Sequence, residues 1–224
     1  STVISLTGNR FVRTTFGSTL YADYVPTADD LIVERIRAAG AISVGKTNVP
    51  EFGAGSQTFN RVFGATRNPY DTTRTCGGSS GGAAVTLAAR MLPLADGSDL
   101  GGSLRNPASF CNVVALRPTP GRVPAYPTRN PWFDMSVLGP MARSVDDLAL
   151  FLSALVGDDP RVPLALTDPG SAFYPVKPFA MNGTRVALTL DFGGLTVQRE
   201  IRGAIEATGR LLESLGARVD YACP

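Results

Sequence analysis

The sequence has 224 residues, 44% of them hydrophobic and 18% charged, with a formal net charge of +2. That length holds one large α/β domain or two small ones, and the composition is that of a globular chain rather than a disordered one. A near-neutral balance with scattered arginines excludes a phosphate-tracking nucleic-acid surface, and no apolar run reaches the ~18 residues of a membrane span.

Residues 28–39 are predicted helical. Leu31, Ile32, Ile36 and Ala39 recur near the helical period, and Glu34, Arg35 and Arg37 are left for solvent. Pro26-Thr27 starts this helix and Gly40 stops it. Residues 41–44 form a short apolar run that suits a buried strand. Residues 50–75, rich in Gly, Asn, Pro and Thr, read as an ordered but irregular connection. A helix is expected over 81–91, a strand over 92–95, a loop over 96–102 and a strand over 112–116. Pro118, Pro120, Pro124, Pro127 and Pro131 make 117–131 extended or turning. Ser144 caps a helix running to about Val156, with Asp147 at the capping-box position. A Pro-rich connection over 159–178 leads to a strand over 184–190. An amphipathic helix over 198–215 is stopped by Gly216, and 217–221 is a last strand. Strands alternating with helices point to an α/β fold with a parallel or mixed sheet.

The chain contains no histidine. This excludes Ser-His-Asp and Cys-His nucleophile systems and a His-ligated zinc site. A hydrolase built on this chain must hand its proton to another base, and lysine occurs only at 46 and 177. Cys76, Cys111 and Cys223 are an odd, widely spaced set without a CxxC, which argues against a disulfide framework or a metal site and for a reducing, cytoplasmic setting. Residues 1–12 lack a basic start followed by an apolar run, so no signal peptide is expected.

Three glycine-rich stretches carry the candidate chemistry. GAISVGKT, 40–47, matches the letters of a P-loop. That motif needs a strand before it and a helix after it. Here a helix precedes, the central residues read as the strand itself, and Pro50 discourages a following helix, so a helix stop and a strand end are expected instead. CGGSSGG, 76–82, opens a helix and reads alone either as a structural turn or as an anion site at a helix N-terminus. The third stretch, GSDLGGSLR at 97–105, follows the next strand, so the two glycine-serine loops can converge at one end of a sheet. Its glycines leave the N–H groups of Leu100, Gly101, Gly102 and Ser103 free to point at one spot, as an oxyanion hole requires. A serine there would be a nucleophile, and a serine from the first loop would relay its proton.

Residues 77–119, GGSSGGAAVTLAARMLPLADGSDLGGSLRNPASFCNVVALRPT, resemble the amidase signature. The flanking pieces RTTFGS (13–18), AGAISVGKTNVPEF (39–52) and GPMARSVDDLALFL (139–152) resemble the same family, from about Val12 to the C-terminus. The resemblance implies an α/β/α sandwich with a central mixed β-sheet, here incomplete, and a single partial domain over 1–224. It implies hydrolysis or transfer of the acyl group of a carboxamide by a Ser–cis-Ser–Lys triad, without a cofactor. By position, Ser103 resembles the nucleophile and Ser79 the bridging serine, with a cis peptide from Gly78. Leu100, Gly101 and Gly102, with Ser103, resemble the oxyanion-hole amides. Gly78, Ser80, Asp99 and Arg105 resemble the supporting residues, although Asp99 and Arg105 fit a half-buried structural pair equally well.

The family's lysine precedes the glycine of the TTFGS-like motif by about thirteen residues, which falls on Ile4. With one gap the acid that follows the lysine is replaced by Ser5, and in either alignment the base is missing. Lys46 belongs to the separate GKTN motif and reads as structural; Lys177 lies in the Pro-rich connection. The resemblance further implies a central fragment, without the lysine segment and the C-terminal half. Three functional readings follow: an amidase carried by Ser103 and Ser79, with little or no activity in this chain; a catalytically dead remnant or binding module; and, ranked lower, the A subunit of a tRNA-dependent amidotransferase. The expected partner is a small-molecule amide, with neither nucleic acid nor membrane, and a homo-oligomer or a complementing chain is left open. Trp132, Phe133 and Met135 are expected to pack in the core, with a pocket wall as the alternative.

Overall fold

The computed structural model describes residues 2–4 and 9–223. The chain falls into two compact units, Ser1–Val176 and Lys177–Pro224. In the first, β1 (Thr2–Ile4) is followed by α1 (Leu31–Ala38), β2 (Ile42–Gly45), and a short hairpin of β3 (Phe59–Asn60) and β4 (Gly64–Ala65). Then come α2 (Gly81–Ala88), β5 (Leu94–Asp99), α3 (Arg105–Phe110), β6 (Val114–Ala115), β7 (Val137–Ala142) and α4 (Val145–Leu155). Among the described residues the main sheet has the order β2-β1-β5-β7-β6. The pairs β1–β2 and β1–β5 are parallel, and β5–β7 and β6–β7 antiparallel, so the sheet is mixed.

Both faces of this sheet are covered, because neighbouring strand residues point to opposite sides. Leu94 and Ala142 join one core with Ile32, Val33 and Ile36 of α1 and Leu148, Phe151, Leu152 and Leu155 of α4. Ala95 and Met141, the adjacent residues, join the other core with Ala83, Ala84 and Leu87 of α2 and Ala108 of α3. The result is an α/β/α sandwich. Nearly every residue of β5 is therefore buried, which gives the continuous apolar start of the strand.

Several elements differ from the expectations. β5 runs through Asp99 instead of stopping at Ala95, because it pairs with β7 residue by residue, from Leu94↔Ala142 to Asp99↔Val137. β7 contains Gly139 and Pro140, which disguise a strand in the sequence. α3 holds Pro107 at its third position, where a helix amide has no intrahelical acceptor and proline is tolerated. In α1 Val33 is buried and Ala39 exposed. Arg35 is not left to solvent: its guanidinium donates to the carbonyls of Leu155 at 2.6 Å, Gly157 at 3.0 Å and Asp158 at 2.9 Å, satisfying the end of α4. Ser144 caps α4 as expected. Its Oγ accepts from the Asp147 N–H at 3.1 Å, and its hydroxyl donates to Asp147 Oδ2 at 2.8 Å.

The second unit holds β8 (Arg185–Leu188), α5 (Arg199–Ser214) and β9 (Arg218–Tyr221). β8 and β9 are parallel, in register from Arg185↔Arg218 to Leu188↔Tyr221, which requires a crossover that α5 supplies. Among the described residues no helix is long and apolar enough to cross a membrane.

Candidate active site

The segment 76–82 delivers the first pair of serines. Its residues are buried, and Ser79 and Ser80 have 3% and 0% exposure. The Gly78–Ser79 peptide is cis. Thr58, itself buried, donates from Oγ1 to the Gly77 carbonyl at 2.8 Å and holds the segment from outside. The glycines that open α2 permit close approach: a Cβ at Gly82 would lie 2.5 Å from the carbonyl oxygen of Asn48. The loop is thus wedged against the GKTN segment.

β5 delivers the second loop. A Cβ at Gly97 would lie 2.6 Å from Ser80 Oγ, so the glycine makes room for this side chain. Ser80 bonds the strand twice, accepting from the Ser98 N–H and donating to the Ser98 carbonyl, both at 3.3 Å. The Ser80 N–H also donates to the Ser103 carbonyl at 3.2 Å. These bonds bring the two loops together at the end of β5, as the sequence predicts.

Asp99 organises the turn between β5 and α3. Its buried carboxylate accepts from the N–H groups of Gly102 at 2.8 Å, Leu104 at 3.2 Å and Arg105 at 3.4 Å. The Arg105 guanidinium adds a bidentate pair, Nε to Oδ2 and Nη2 to Oδ1, each at 3.0 Å. Arg117, which no sequence motif singles out, donates from Nη1 to Oδ1 at 3.2 Å and to the Asp99 carbonyl, and from Nη2 to the Met135 carbonyl at 2.9 Å. Burial would push this carboxyl up. The Arg105 side chain and the three amides overcome it and hold the pKa at about 2. The arrangement corrects one expectation: the Gly102 N–H is committed to Asp99, because the turn folds back onto the carboxylate, and is not open to a ligand. Leu100 and Gly101 are exposed, and Ser103 is half-buried.

Beside Ser79 lies a cleft of about 520 Å³. Its walls include Ser79 and Ser98, the backbone segment from Val12 to Gly17, Lys46 to Val49, and the rings of Phe16, Phe52 and Phe63. Ser103 lies outside its described lining. Lys46 Nζ donates to Thr14 Oγ1 at 3.0 Å. Burial lowers the Lys46 pKa to about 8, against the opposing pull of the Asp96 and Asp30 carboxylates. Position 4, where the family resemblance puts a lysine, is Ile4 on β1, paired with Gly45 of β2 and Ala95 of β5. The Ser5 substitution falls outside the described residues. Lys177 belongs to the second unit.

Gly40 to Thr47 is the turn after α1 and then β2, followed by a 3₁₀ turn at Glu51–Gly53 rather than an α-helix, so no P-loop geometry forms. Trp132, Phe133 and Met135 are exposed rather than packed in the core, because the proline-rich segment before β7 runs over the surface. Phe133 lines a second cleft of about 200 Å³, and Leu138 of β7 lines both clefts. Cys76 and Cys111 are buried free thiols, and burial pushes Cys111 up to about 12, which leaves it unreactive at neutral pH.

The profile of the amidase family matches residues 10–224. The A subunit of glutamyl-tRNA(Gln) amidotransferase from Thermosynechococcus vestitus is 42% identical over 214 residues, covering 95% of this chain and 44% of the relative. A bacterial aryl acylamidase of the amidase signature family superposes with a TM-score of 0.87 at 31% identity, over 99% of this chain and 46% of that one. A 6-aminohexanoate cyclic dimer hydrolase solved with substrate superposes with a TM-score of 0.88 at 31% identity, over 99% and 48%. The chain spans about half the length of the curated relatives it matches. The chain belongs to the amidase signature family.

Proposed function

We propose that this chain carries the serine half of an amide-hydrolysing site. In this reading Ser103 Oγ attacks the carbonyl carbon of a small carboxamide. Its proton passes to Ser79 Oγ, and the Ser79 proton passes on to a base. The C–N bond breaks as the nitrogen takes a proton, leaving an ester on Ser103. Water then adds, the carboxylate departs, and Ser103 regains its proton. The N–H groups of Leu100, Gly101 and Ser103 face the developing oxyanion. Ser80, Asp99 and Arg105 hold the two loops, and Gly78 supplies the cis peptide. The observation that carries this reading is the 3.2 Å bond from the Ser80 N–H to the Ser103 carbonyl, which ties the two serine loops together.

Ile4 stands where the family's base is expected, so turnover by this chain is low. The test is ammonia release from acetamide, propionamide and benzamide. Ile4→Lys is expected to raise kcat/KM by about 10²-fold or more, and Ser103→Ala to abolish the gain. Turnover indifferent to Ser103 would overturn the assignment. A second reading, the A subunit of a tRNA-dependent amidotransferase, draws support from the curated relatives of that name. It predicts that glutamine is hydrolysed in preference to simple amides.

A further inference from the structure

We propose that Lys46, just past the end of the strand beside Ile4, takes the proton that the family's missing lysine would otherwise accept. The proposal rests on the reading of Ser103 and Ser79 above. Few groups in this chain could serve as the base. It has no histidine, and its other lysine, Lys177, is not among the residues lining the cleft beside Ser79. An arginine holds its proton too tightly to serve.

Placement then favours Lys46. It follows β2 directly, one residue beyond Gly45, and Gly45 is the residue paired with Ile4. Lys46 and Ser79 line the same cleft. Its Nζ is anchored by the 3.0 Å bond to Thr14 Oγ1 in the cleft wall. Among the described residues, the charged groups around it include Asp96 on β5, Asp30 at the N-cap of α1, and Arg13 in the cleft wall. The two carboxylates favour the ammonium form. Burial outweighs them and brings the group to about 8, where half of the molecules carry a neutral amine with a lone pair to offer.

The step balances. The Lys46 lone pair takes the Ser79 Oγ proton as Ser79 takes that of Ser103, and Ser103 Oγ bonds to the carbonyl carbon. The proton returns through Ser79 to the leaving nitrogen. In the second half the proton of the attacking water follows the same path in, and it returns to Ser103 Oγ as the acyl bond breaks.

A purely structural Lys46, paired with Asp96, would tolerate any cation. A base would not. The experiment measures ammonia release from the same amides across pH 6–10, with folding followed by circular dichroism. The expected result is a Ser103-dependent rate that rises to a plateau with a midpoint near pH 8. Lys46→Arg and Lys46→Met should each lose about 10²-fold or more while staying folded. Ile4→Lys placed in the Lys46→Arg chain should restore the rate. Where Lys46→Met fails to fold, Lys46→Arg carries the decision. Parental activity in Lys46→Arg, or a flat profile between pH 7 and 9, would sink the proposal. A silent parent that Ile4→Lys activates also removes Lys46 from the path, yet keeps Ser103 and Ser79 in their roles. Silence in both chains rejects the serine reading and this proposal together.

Discussion

Asp99 shows how much one buried side chain can organise. A carboxylate with 0% exposure gathers Arg105, Arg117 and three backbone amides around the turn that presents Ser103. Its folded pKa of about 2 lies below the ordinary value of 3.8. Folding therefore favours the ionised form, and the resulting stability is fully present above about pH 4. It is lost as pH falls through 2, and amounts to about 2 kcal/mol. Urea unfolding at pH 6 and pH 3 should reveal this slope, and Asp99→Asn should flatten it. An unchanged slope in Asp99→Asn would locate the acid sensitivity elsewhere. Asp99 and Arg105 were legible only through the resemblance of 97–105 to the amidase signature, with a structural pair equally open, and the structure joins them across six residues of one turn. Arg117 was not legible. It reaches Asp99 only through the pairing of β5, β7 and β6, and no local pattern records that.

At the scale of elements, legibility followed local chemistry. α4 was readable from its cap, Ser144 with Asp147 at the capping-box position. Its first turn rests on Ser144, so Ser144→Ala should cost about 1 kcal/mol of stability, read as a lower denaturant midpoint with an unchanged m-value. A cost near zero would mean that Arg35, which satisfies the other end of α4, holds the helix by itself. β7 and α3 were unreadable for the same reason in two forms. Gly139-Pro140 and Pro107 are breakers by propensity, and tertiary pairing overrides propensity. The length of β5 went unread because its last residues, polar and glycine-rich, are strand only through β7. The candidate site lies where β5 ends and the turn into α3 begins, three residues short of the end of the loop the sequence placed there.

At the scale of the molecule, a sheet with a core on each face fixes where the site forms. One core packs α1 and α4, and the other packs α2 and α3. Both serine loops belong to the α2–α3 side, and that layer is rich in alanine and glycine. Small residues let helices approach the sheet closely, and this closeness brings Ser80 within bonding reach of β5. The α/β class was legible from the alternation of strands and helices, and the sandwich only from the resemblance to the amidase signature. The clefts were not, because they are made by segments far apart in sequence, such as Thr14, Lys46 and Ser79.

Leu138 belongs to β7, packs on the first core, and stands in the walls of both clefts. In the amide-hydrolysing reading, a side chain shared by both walls is where a longer acyl chain would pass from one cleft toward the other. In the Ile4→Lys chain, Leu138→Ala should raise the ratio of kcat/KM for hexanamide over acetamide, because the longer chain gains a second room to enter. A ratio that stays put would mean that the two chambers are sealed from each other by backbone rather than by a side chain.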